Sequence, residues 1–459
     1  MDLSLGGLSS GMDTAAIVEQ LVAIEKQPIY RYEEEISQIE KTKDAWRDIN
    51  SRLSNLSNKI TDLKFSSTYN SRLAESSDET VVTASAANST AEGSYDLNIS
   101  QLAKSHRISS DQQGDSTSEL GLSGTVNING TELTIENNFS LTDIRDQINN
   151  TDGTKVKASI IDNNLVLESE NTGTGTENEI EVSDTSGTVL ENLGVVETDG
   201  TTIKNTLQNA QDAQLSINGV DITSSTNIID QSVEGMTFNL KTTGNANIEV
   251  SKDTEKTISA VQEFVDQYNS TISFIDKKTD YNSESEEGAV LQGDSTAMRL
   301  QSRVRQTIMG EVESGGNITH ISQLGVSIDR DGVMTLDSED LKTALDNNSK
   351  EVKKFFNAEE SEDGYTGIAN KLDSYVDQII TSGSGLIPNR IDSFDQRIEN
   401  INEDIADAER SVEMARERYT EQFTAMETAL SEMQQQQSWM SNQLSSLGGG
   451  SVSSLINSM

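Results

Sequence analysis

The chain has 459 residues, of which 76 are acidic and 34 are basic, so its formal net charge is −42. Such an acidic excess argues against nucleic-acid binding, because phosphate contacts need clustered lysine and arginine. The sequence contains no cysteine, which excludes disulfides, thiol catalysis and cysteine-ligated metals. Only 4% of the residues are aromatic, which favours several small domains over one large core.

The sequence gives no sign of a membrane-spanning or secretory segment. No apolar run approaches the roughly 18 residues that cross a bilayer, and the first residues lack the basic region and apolar core of a signal peptide. We therefore expect no membrane insertion, and either a cytosolic location or export without a cleaved signal.

The N-terminal region predicts a short helix followed by a long one. Asp13 is placed to cap the first helix, whose apolar face is predicted to be Ile17, Leu21 and Ile24, and Pro28 ends or kinks it. Polar residues in a helical seam lower stability but can fix register or oligomeric state. The long helix carries two of them, Lys43 and Asn50, in the stripe Tyr32, Ile36, Ile39, Lys43, Trp46, Asn50, Leu53, Leu56, Ile60 and Leu63.

The middle of the chain is predicted to be mainly β. From about residue 75 to about residue 250, apolar and polar residues alternate between segments rich in Thr, Asn, Ser and Gly. Asn129-Gly130 and Asn218-Gly219 lie in two similar segments, and Asn-Gly accepts the positive φ angles of tight hairpin turns. Between them, Ser140 and Asp143 have the spacing of a capping box before a short helix.

Helical periodicity returns near residue 258 and continues toward the C terminus, interrupted by a predicted hairpin over residues 326–336. The longest helix is predicted over residues 387–447. A strict seven-residue repeat keeps one face turned toward a partner helix. That face consists of Ile387, Ile391, Phe394, Ile398, Ile401, Ile405, Ala408, Val412, Ala415 and Tyr419, and after one extra residue it resumes with Phe423, Met426, Leu430, Met433, Gln437, Met440, Leu444 and Leu447.

The matching stripes at the two ends predict an α+β multidomain fold. In it, terminal coiled-coil helices pair the N- and C-ends, a mostly helical stalk domain follows, and two β-rich domains lie outermost. The alternative is that each stripe packs on its own neighbouring domain. For Met426, Met433, Trp439 and Met440, which flank the run Gln434–Gln437, partner binding and internal packing both remain open.

No residue pattern indicates catalysis, a metal or a cofactor. His106 and His320 are the two histidines, and neither lies beside a nucleophile or a metal-binding pattern. The segment Asp329–Gly332 is similar to part of a calcium loop but lacks its third acidic position and closing glutamate, so a hairpin turn is favoured. Gly173–Gly175 lacks the third glycine of a dinucleotide fingerprint. We predict no catalytic residue, metal or cofactor.

Three separated stretches carry a family resemblance. They are Gly7–Asp13 with Ile17–Val22 and Glu25–Pro28, the unit from Gly124 to about Gly175, and a C-terminal series comprising Phe264–Asn269, Leu291–Thr296, Leu324–Val326, Asp331-Gly332, Phe355-Phe356 and Gln422–Glu427 with Trp439. In this order they resemble the flagellar filament cap protein family, also known as hook-associated protein 2. The central unit is similar to a repeat shared by several flagellin and hook-associated proteins.

The resemblance implies a non-enzymatic, homo-oligomeric ring at the tip of the bacterial flagellum, secreted through the flagellar type III export apparatus. There it would promote the folding and insertion of exported flagellin and prevent its loss to the medium. The implied partners are further copies of the chain, flagellin, the hook-associated junction protein and a flagellar export chaperone, with a host mucin or glycan as a further candidate. Alternative functions are a hook–filament junction protein or a surface adhesin acting through the β domains. An enzyme such as a wall hydrolase lacks support because no catalytic set is present.

The same interpretation predicts four domains and a set of assembly contacts. The domains are 1–42 with 415–459 (terminal coiled coil), 43–71 with 253–414 (helical stalk), 72–110 with 205–252 (β-rich) and 111–204 (outer β-rich, with the flagellin and hook repeat). The residues expected to contact neighbouring subunits or partners are Ile17, Leu21, Ile36, Trp46, Ile391, Phe394, Ile398, Ile401, Ile405, Phe423, Met426, Met433 and Trp439.

Overall fold

A computed structural model describes residues 11, 13–282, 287–358 and 365–448, so Gly7–Ser10 and Met12 of the N-terminal signature lie outside the described residues. The chain divides into two units, Met1–Lys64 with Ala260–Met459 and Phe65–Ser259. Long helices dominate the first unit and small antiparallel sheets the second. The predicted α+β multidomain class is therefore confirmed.

The helices follow the predicted periodicity closely. The longest, with 63 residues, is about 95 Å long at roughly 1.5 Å per residue. Within the described residues the helices are α1 (Thr14–Glu25), α2 (Gln27–Asp62), α3 (Ser66–Tyr69), α4 (Leu141–Asn150), α5 (Val189–Leu193), α6 (Thr254–Thr279), α7 (Ser295–Met309), α8 (Ser338–Asn357), α9 (Ile368–Ile380) and α10 (Leu386–Gly448), with a 3₁₀ turn at Ile321–Leu324.

The strands are short and pair antiparallel throughout the described part of the chain. They are β1 (Arg72–Ser76), β2 (Val82–Ala86), β3 (Gly93–Gln101), β4 (Ser105–Ser109), β5 (Gly124–Ile128), β6 (Thr131–Ile135), β7 (Val156–Ile161), β8 (Asn164–Thr172), β9 (Val182–Ser186), β10 (Asn205–Gln208), β11 (Ala213–Ile217), β12 (Val220–Ser224), β13 (Ile228–Ile229), β14 (Met236–Leu240), β15 (Gly244–Lys252), β16 (Tyr281–Asn282), β17 (Glu287–Gly288), β18 (Val326–Ile328) and β19 (Met334–Leu336).

The second unit contains two hydrophobic clusters. One lies between the five-stranded sheet β1-β15-β3-β11-β12 and the three-stranded sheet β13-β14-β2, around Phe238 and Ile248. The other joins the sheets β10-β4-β8-β7 and β6-β5-β9 with α4 and α5, around Leu165 and Ile144. Each sheet buries one face, which is why apolar and polar residues alternate along these strands.

Both Asn-Gly dipeptides form the predicted hairpin turns. The φ angles are 50° and 83° at Asn129-Gly130, and 51° and 80° at Asn218-Gly219. Two consecutive positive φ angles are typical of the type I′ turn, whose twist matches that of the flanking strands. The two turns join β5 to β6 and β11 to β12.

The predicted capping box begins α4. The Ser140 N–H donates to Asp143 Oδ2 at 2.9 Å, and the Asp143 N–H donates to Ser140 Oγ at 3.2 Å. These two bonds satisfy amide groups that have no acceptor inside the first helical turn. Ile144 and Ile148 then lie buried on one face of the helix, as their spacing predicts.

Two asparagine side chains act as partners for the backbones of edge strands. Asn149 on α4 donates from Nδ2 to the Ala158 carbonyl of β7 at 2.9 Å and accepts from the Ala158 N–H at 2.8 Å. Asn269 on α6 makes the same pair of bonds to Met334 of β19, both at 2.8 Å. A side-chain amide presents a donor and an acceptor with the spacing of a peptide group, so each asparagine closes part of an exposed edge.

The cap of α1 is as predicted, but its buried face is not. Asp13 Oδ1 accepts from the Ala16 N–H at 3.0 Å. The apolar side chains buried on α1 are Val18 and Val22, whereas the predicted Ile24 is exposed. The prediction was wrong because two apolar stripes lie side by side on this short helix, and periodicity alone cannot tell which one meets another helix.

Candidate functional site: the terminal helices

The long helices α2 and α10 pack against each other in antiparallel orientation within the first unit. Lys43 Nζ lies 2.8 Å from an Asp395 carboxylate oxygen, and Arg397 lies 2.5 Å from Glu35. Residue numbers fall along α2 as they rise along α10, which fixes the direction. The predicted pairing of the N- and C-terminal ends is thereby confirmed, and the polar Lys43 in the seam is matched by an acidic partner.

The short helix α1 covers the next part of α10. Arg416 donates to both carboxylate oxygens of Glu19, at 2.7 and 3.2 Å, and the Tyr419 hydroxyl donates to Glu25 at 2.9 Å. Exposed ion pairs contribute about 0–1 kcal/mol each, so these contacts select the register more than they stabilise it. Apolar packing supplies the stability, through a cluster of Val18, Val22, Ile29 and Val412 with Ile405, Ala408, Tyr419 and Phe423.

Near its start, α10 is tied to α2 and α7 by Arg390. The Arg390 guanidinium contacts the Asp294 carboxylate and lies 4.9 Å from the centre of the Trp46 ring and 5.6 Å from that of Phe394. The other Asp294 oxygen caps α7 by accepting from the Thr296 N–H at 2.9 Å. The stretch Leu291–Thr296 thus joins three helices, a role that the sequence did not reveal because its partners are distant in the chain.

Beyond Phe423 no other helix of the described residues covers the apolar face of α10. Val412 is only 6% exposed, whereas Met433 is 56% and Leu444 is 68% exposed. The spacing of four and three continues beyond this point, after one extra residue between Tyr419 and Phe423, so the change in exposure follows from where the described partner helices end. We term this face the distal stripe, defined as Met426, Leu430, Met433, Met440 and Leu444, of which Leu430 is half-buried and the other four are exposed.

From Met433 onward, the surroundings of the distal stripe differ in charge from the rest of the chain. Residues 433–448 contain no Asp, Glu, Lys or Arg, although the chain as a whole carries a net charge of −42. The ion pairs that align α10 with α1 and α2 have no counterpart here. A helix of a second acidic chain can therefore approach this end without strong repulsion.

Trp439 is exposed but does not belong to the distal stripe. Successive residues of an α-helix are rotated by roughly 100°, so Trp439 lies on a different face from Met440 and Met433. The sequence grouped Trp439 with these methionines because they are neighbours along the chain.

The predicted contact residues fall into three groups by exposure. Trp46 and Ile401 are buried within the first unit. Met426, Met433 and Trp439 are exposed and available to another molecule. The remaining positions are half-buried seam residues, namely Ile17, Leu21, Ile36, Ile391, Phe394, Ile398, Ile405 and Phe423.

The residues considered for chemistry have structural roles in the described part of the chain. His106 Nδ1 accepts from the Ile180 N–H at 2.9 Å, and burial lowers the pKa of His106. Asp329 accepts from the Val333 N–H at 2.8 Å in the turn between β18 and β19, so this segment is the predicted hairpin. Among the described residues, no group of three or more metal-ligating side chains comes together. The helices described here also lack a stretch long and apolar enough to cross a membrane.

The chain is similar to flagellar proteins over nearly its whole length. Models of the N terminus and the C terminus of flagellar hook-associated protein 2 match residues 10–106 and 210–435. The A-type flagellar hook-associated protein 2 of Pseudomonas aeruginosa is 26% identical, and the match covers 97% of this chain and 98% of the relative. The lateral flagellar hook-associated protein 2 of Vibrio parahaemolyticus is 27% identical, covering 78% of this chain and 83% of the relative.

A solved structure extends the similarity to the fold. The D1–D2–D3 domains of the flagellar cap protein FliD from Escherichia coli match with a TM-score of 0.60 at 26% identity, covering 76% of this chain and 99% of that one. These matches favour neither the junction protein nor the adhesin that the sequence left as alternatives. With family models matching both of its ends and relatives of the same length, the chain belongs to the flagellar hook-associated protein 2 family.

Proposed function

We propose that this protein caps the flagellar filament. It acts as an oligomeric, non-enzymatic scaffold at the filament tip, outside the cell, where it promotes the folding and insertion of exported flagellin and prevents the loss of flagellin to the medium. The observation that carries the proposal is the distal stripe, a continuing heptad face that no helix of the described chain covers. The name of the similar Escherichia coli structure, a flagellar cap protein, supports it.

The distal stripe has the size and chemistry of a helix-binding face. Burying a Leu or Met side chain contributes about 1.5–3 kcal/mol, so five such residues supply enough free energy to order a helix and bind a partner. Methionine adapts to partners of different shape because its side chain is unbranched and flexible. A face rich in methionine suits contact with both neighbouring copies of the chain and successive flagellin subunits.

The predicted contact residues then divide into two roles. The buried and half-buried seam, represented by Ile398 and Ile405, holds the two ends of the chain together. Met426 and Met433 on the distal stripe contact neighbouring subunits or flagellin, and Trp439 presents a second exposed face. Export through the type III apparatus, the export chaperone, the junction protein, a host mucin or glycan and the four-domain division remain predictions.

Filament growth in cells that lack the gene tests this proposal. We expect cells complemented with the double variant Met433→Asp and Met440→Asp to make few or short filaments and to release monomeric flagellin. The matched control is Gln435→Asp with Asn442→Asp, which places the same two charges seven residues apart on the opposite face of α10. The control should give normal filaments, seen by electron microscopy.

A defect in export must be distinguished from a defect in capping, because either would prevent filament growth. Purified protein added to the medium bypasses export, and the wild-type chain and the control variant should then restore filament growth. Restoration by the Met433→Asp, Met440→Asp variant to the wild-type extent would refute the role of the distal stripe.

A further inference from the structure

Two Asn-Gly turns in the second unit share the same backbone geometry but differ in their hydrogen bonds. We infer that Asn218-Gly219 is a site of spontaneous deamidation and isoaspartate formation, and that the fold protects Asn129-Gly130 from the same reaction. Glycine after asparagine favours this reaction because no side chain hinders its amide nitrogen. Both asparagines are followed by glycine, so a difference between their deamidation rates must come from the surrounding structure.

The turn at Asn129 is held by three side-chain hydrogen bonds. The Gly130 N–H donates to Asn127 Oδ1 at 2.9 Å, so the nitrogen that would react is already engaged. The Asn129 side chain donates from Nδ2 to the Thr154 carbonyl at 2.8 Å and accepts at Oδ1 from the Glu181 N–H at 2.8 Å. Rotating this half-buried amide toward Gly130 would break both of its bonds.

The turn at Asn218 is held by one side-chain hydrogen bond. Asn218 Oδ1 accepts from the Asp96 N–H at 2.8 Å, and the residue is exposed. No described residue accepts a hydrogen bond from the Gly219 N–H or from Asn218 Nδ2. Gly219 also borders an open cavity of about 430 Å³ lined by polar side chains that include Asn98 and Asn247, so water reaches the turn.

The reaction needs only water as a co-reactant. The Gly219 backbone nitrogen loses its proton and forms a bond to Cγ of Asn218, while the bond from Cγ to Nδ2 breaks and the amide nitrogen leaves as ammonia. The product is a five-membered cyclic imide. Water then adds to one of its two carbonyl carbons, and the ring opens to aspartate or to isoaspartate, in which the main chain runs through Cγ.

Either product changes the edge of the five-stranded sheet. A carboxylate at position 218 lies beside Asp96, whose N–H bonds the present side chain, and three residues before Asp221 on β12. Isoaspartate adds one carbon to the main chain of a two-residue turn, which cannot keep the register that pairs Ile217 with Val220. The reaction therefore loosens an edge hairpin of the second unit.

Peptide mapping by mass spectrometry of the folded full-length chain tests the inference. After incubation at mildly alkaline pH, we expect conversion at Asn218 to exceed conversion at Asn129 on the order of tenfold or more, since three side-chain hydrogen bonds restrain one turn and one restrains the other. Enzymatic methylation of isoaspartyl groups should identify the product at position 218. Equal conversion at the two sites, or faster conversion at Asn129, would overturn it.

Two controls assign the difference to the fold. In denaturant the two rates should converge, and a ratio unchanged by unfolding would contradict the inference. The variant Asn127→Ala releases the Gly130 N–H, so conversion at Asn129 should rise while conversion at Asn218 stays the same. No change at Asn129 in a variant with the wild-type circular dichroism spectrum would show that this bond does not protect the turn.

Discussion

Replacing Arg390 with methionine should weaken the first unit selectively. A fully buried ion pair that loses one partner costs about 3–5 kcal/mol, but an exposed pair is worth about 0–1 kcal/mol. The Asp294 side chain is 11% exposed and that of Arg390 is 34% exposed, so we assign the pair about 1–2 kcal/mol. The contacts of the guanidinium with the rings of Trp46 and Phe394 add about 0.5–1 kcal/mol each. The free energy of unfolding should fall by about 2–4 kcal/mol.

The assay uses the two tryptophans of the chain. Both lie in the first unit, but Trp46 is buried under Arg390 and Trp439 is exposed, so in a Trp439→Phe background the fluorescence reports the surroundings of Trp46 alone. With a urea dependence of about 1–3 kcal/mol per molar, Arg390→Met should lower the unfolding midpoint by about 1 M. The control Arg397→Met removes a largely exposed pair from the same helix and should shift it little. Equal midpoints for Arg390→Met and its parent would refute the role given to Arg390.

Three further predictions follow from the geometry. Ile398→Asp with Ile405→Asp should loosen the pairing of the terminal helices by about 1–2 kcal/mol per half-buried residue and abolish filament growth, while circular dichroism still shows folded sheets. Burial lowers the pKa of His106 in the folded chain, an effect that the charge of Glu179 partly offsets. The unfolded chain thus binds the proton more tightly, so the stability of the second unit should fall as the pH drops through about 6.5, measured by thermal unfolding. Asn149→Asp loses the donor to the β7 carbonyl and places a charge there, so it should cost about 1–3 kcal/mol in the same assay.

Each of these three has its own control. Normal filaments from the isoleucine double variant would show that the pairing of the ends is dispensable. His320→Gln should keep the pH dependence of the second unit, because His320 lies in the first unit, while His106→Gln should flatten it; the reverse result would contradict the assignment. A wild-type stability for Asn149→Asp would show that the edge of β7 needs no partner. Asn163→Asp, in the turn between β7 and β8, provides a comparison away from the two bonds of Asn149.

The sequence predicted the helices, caps and turns that depend on residues close together in the chain. Heptad spacing gave α2 and α10, the Ser140 and Asp143 spacing gave a capping box, and Asn-Gly gave two type I′ turns, because each pattern acts over a few residues. It did not predict the contact of Arg390 with Asp294, or Asn149 closing the edge of β7. Those contacts depend on how separate elements meet, and a single sequence contains no signal for which arginine or asparagine faces which backbone.

Periodicity also failed to identify the buried face where a helix has two apolar faces. On α1, the stripe with Ile24 and the stripe with Val22 are both apolar, and only the position of α10 decides which is buried. On α10 the repeat correctly predicted a continuous face, but could not tell where its cover ends. The division between the seam and the distal stripe is set by the helices that pack beside α10, so it is a property of the folded chain.

In the proposed function, that division gives the two parts of α10 different kinds of partner. Where the chain binds itself, oppositely charged pairs such as Arg416 with Glu19 accompany the apolar seam, and a mismatched register would bring acidic side chains together at an energetic cost. Past residue 432 the helix loses its charges but keeps its apolar repeat. Without charged groups to select one register, the distal stripe can accept several helices in turn. The scaffold that we propose must hold identical neighbours and release each newly folded subunit, and such a surface suits both tasks. A strongly acidic chain can provide that surface only in a segment without charged residues.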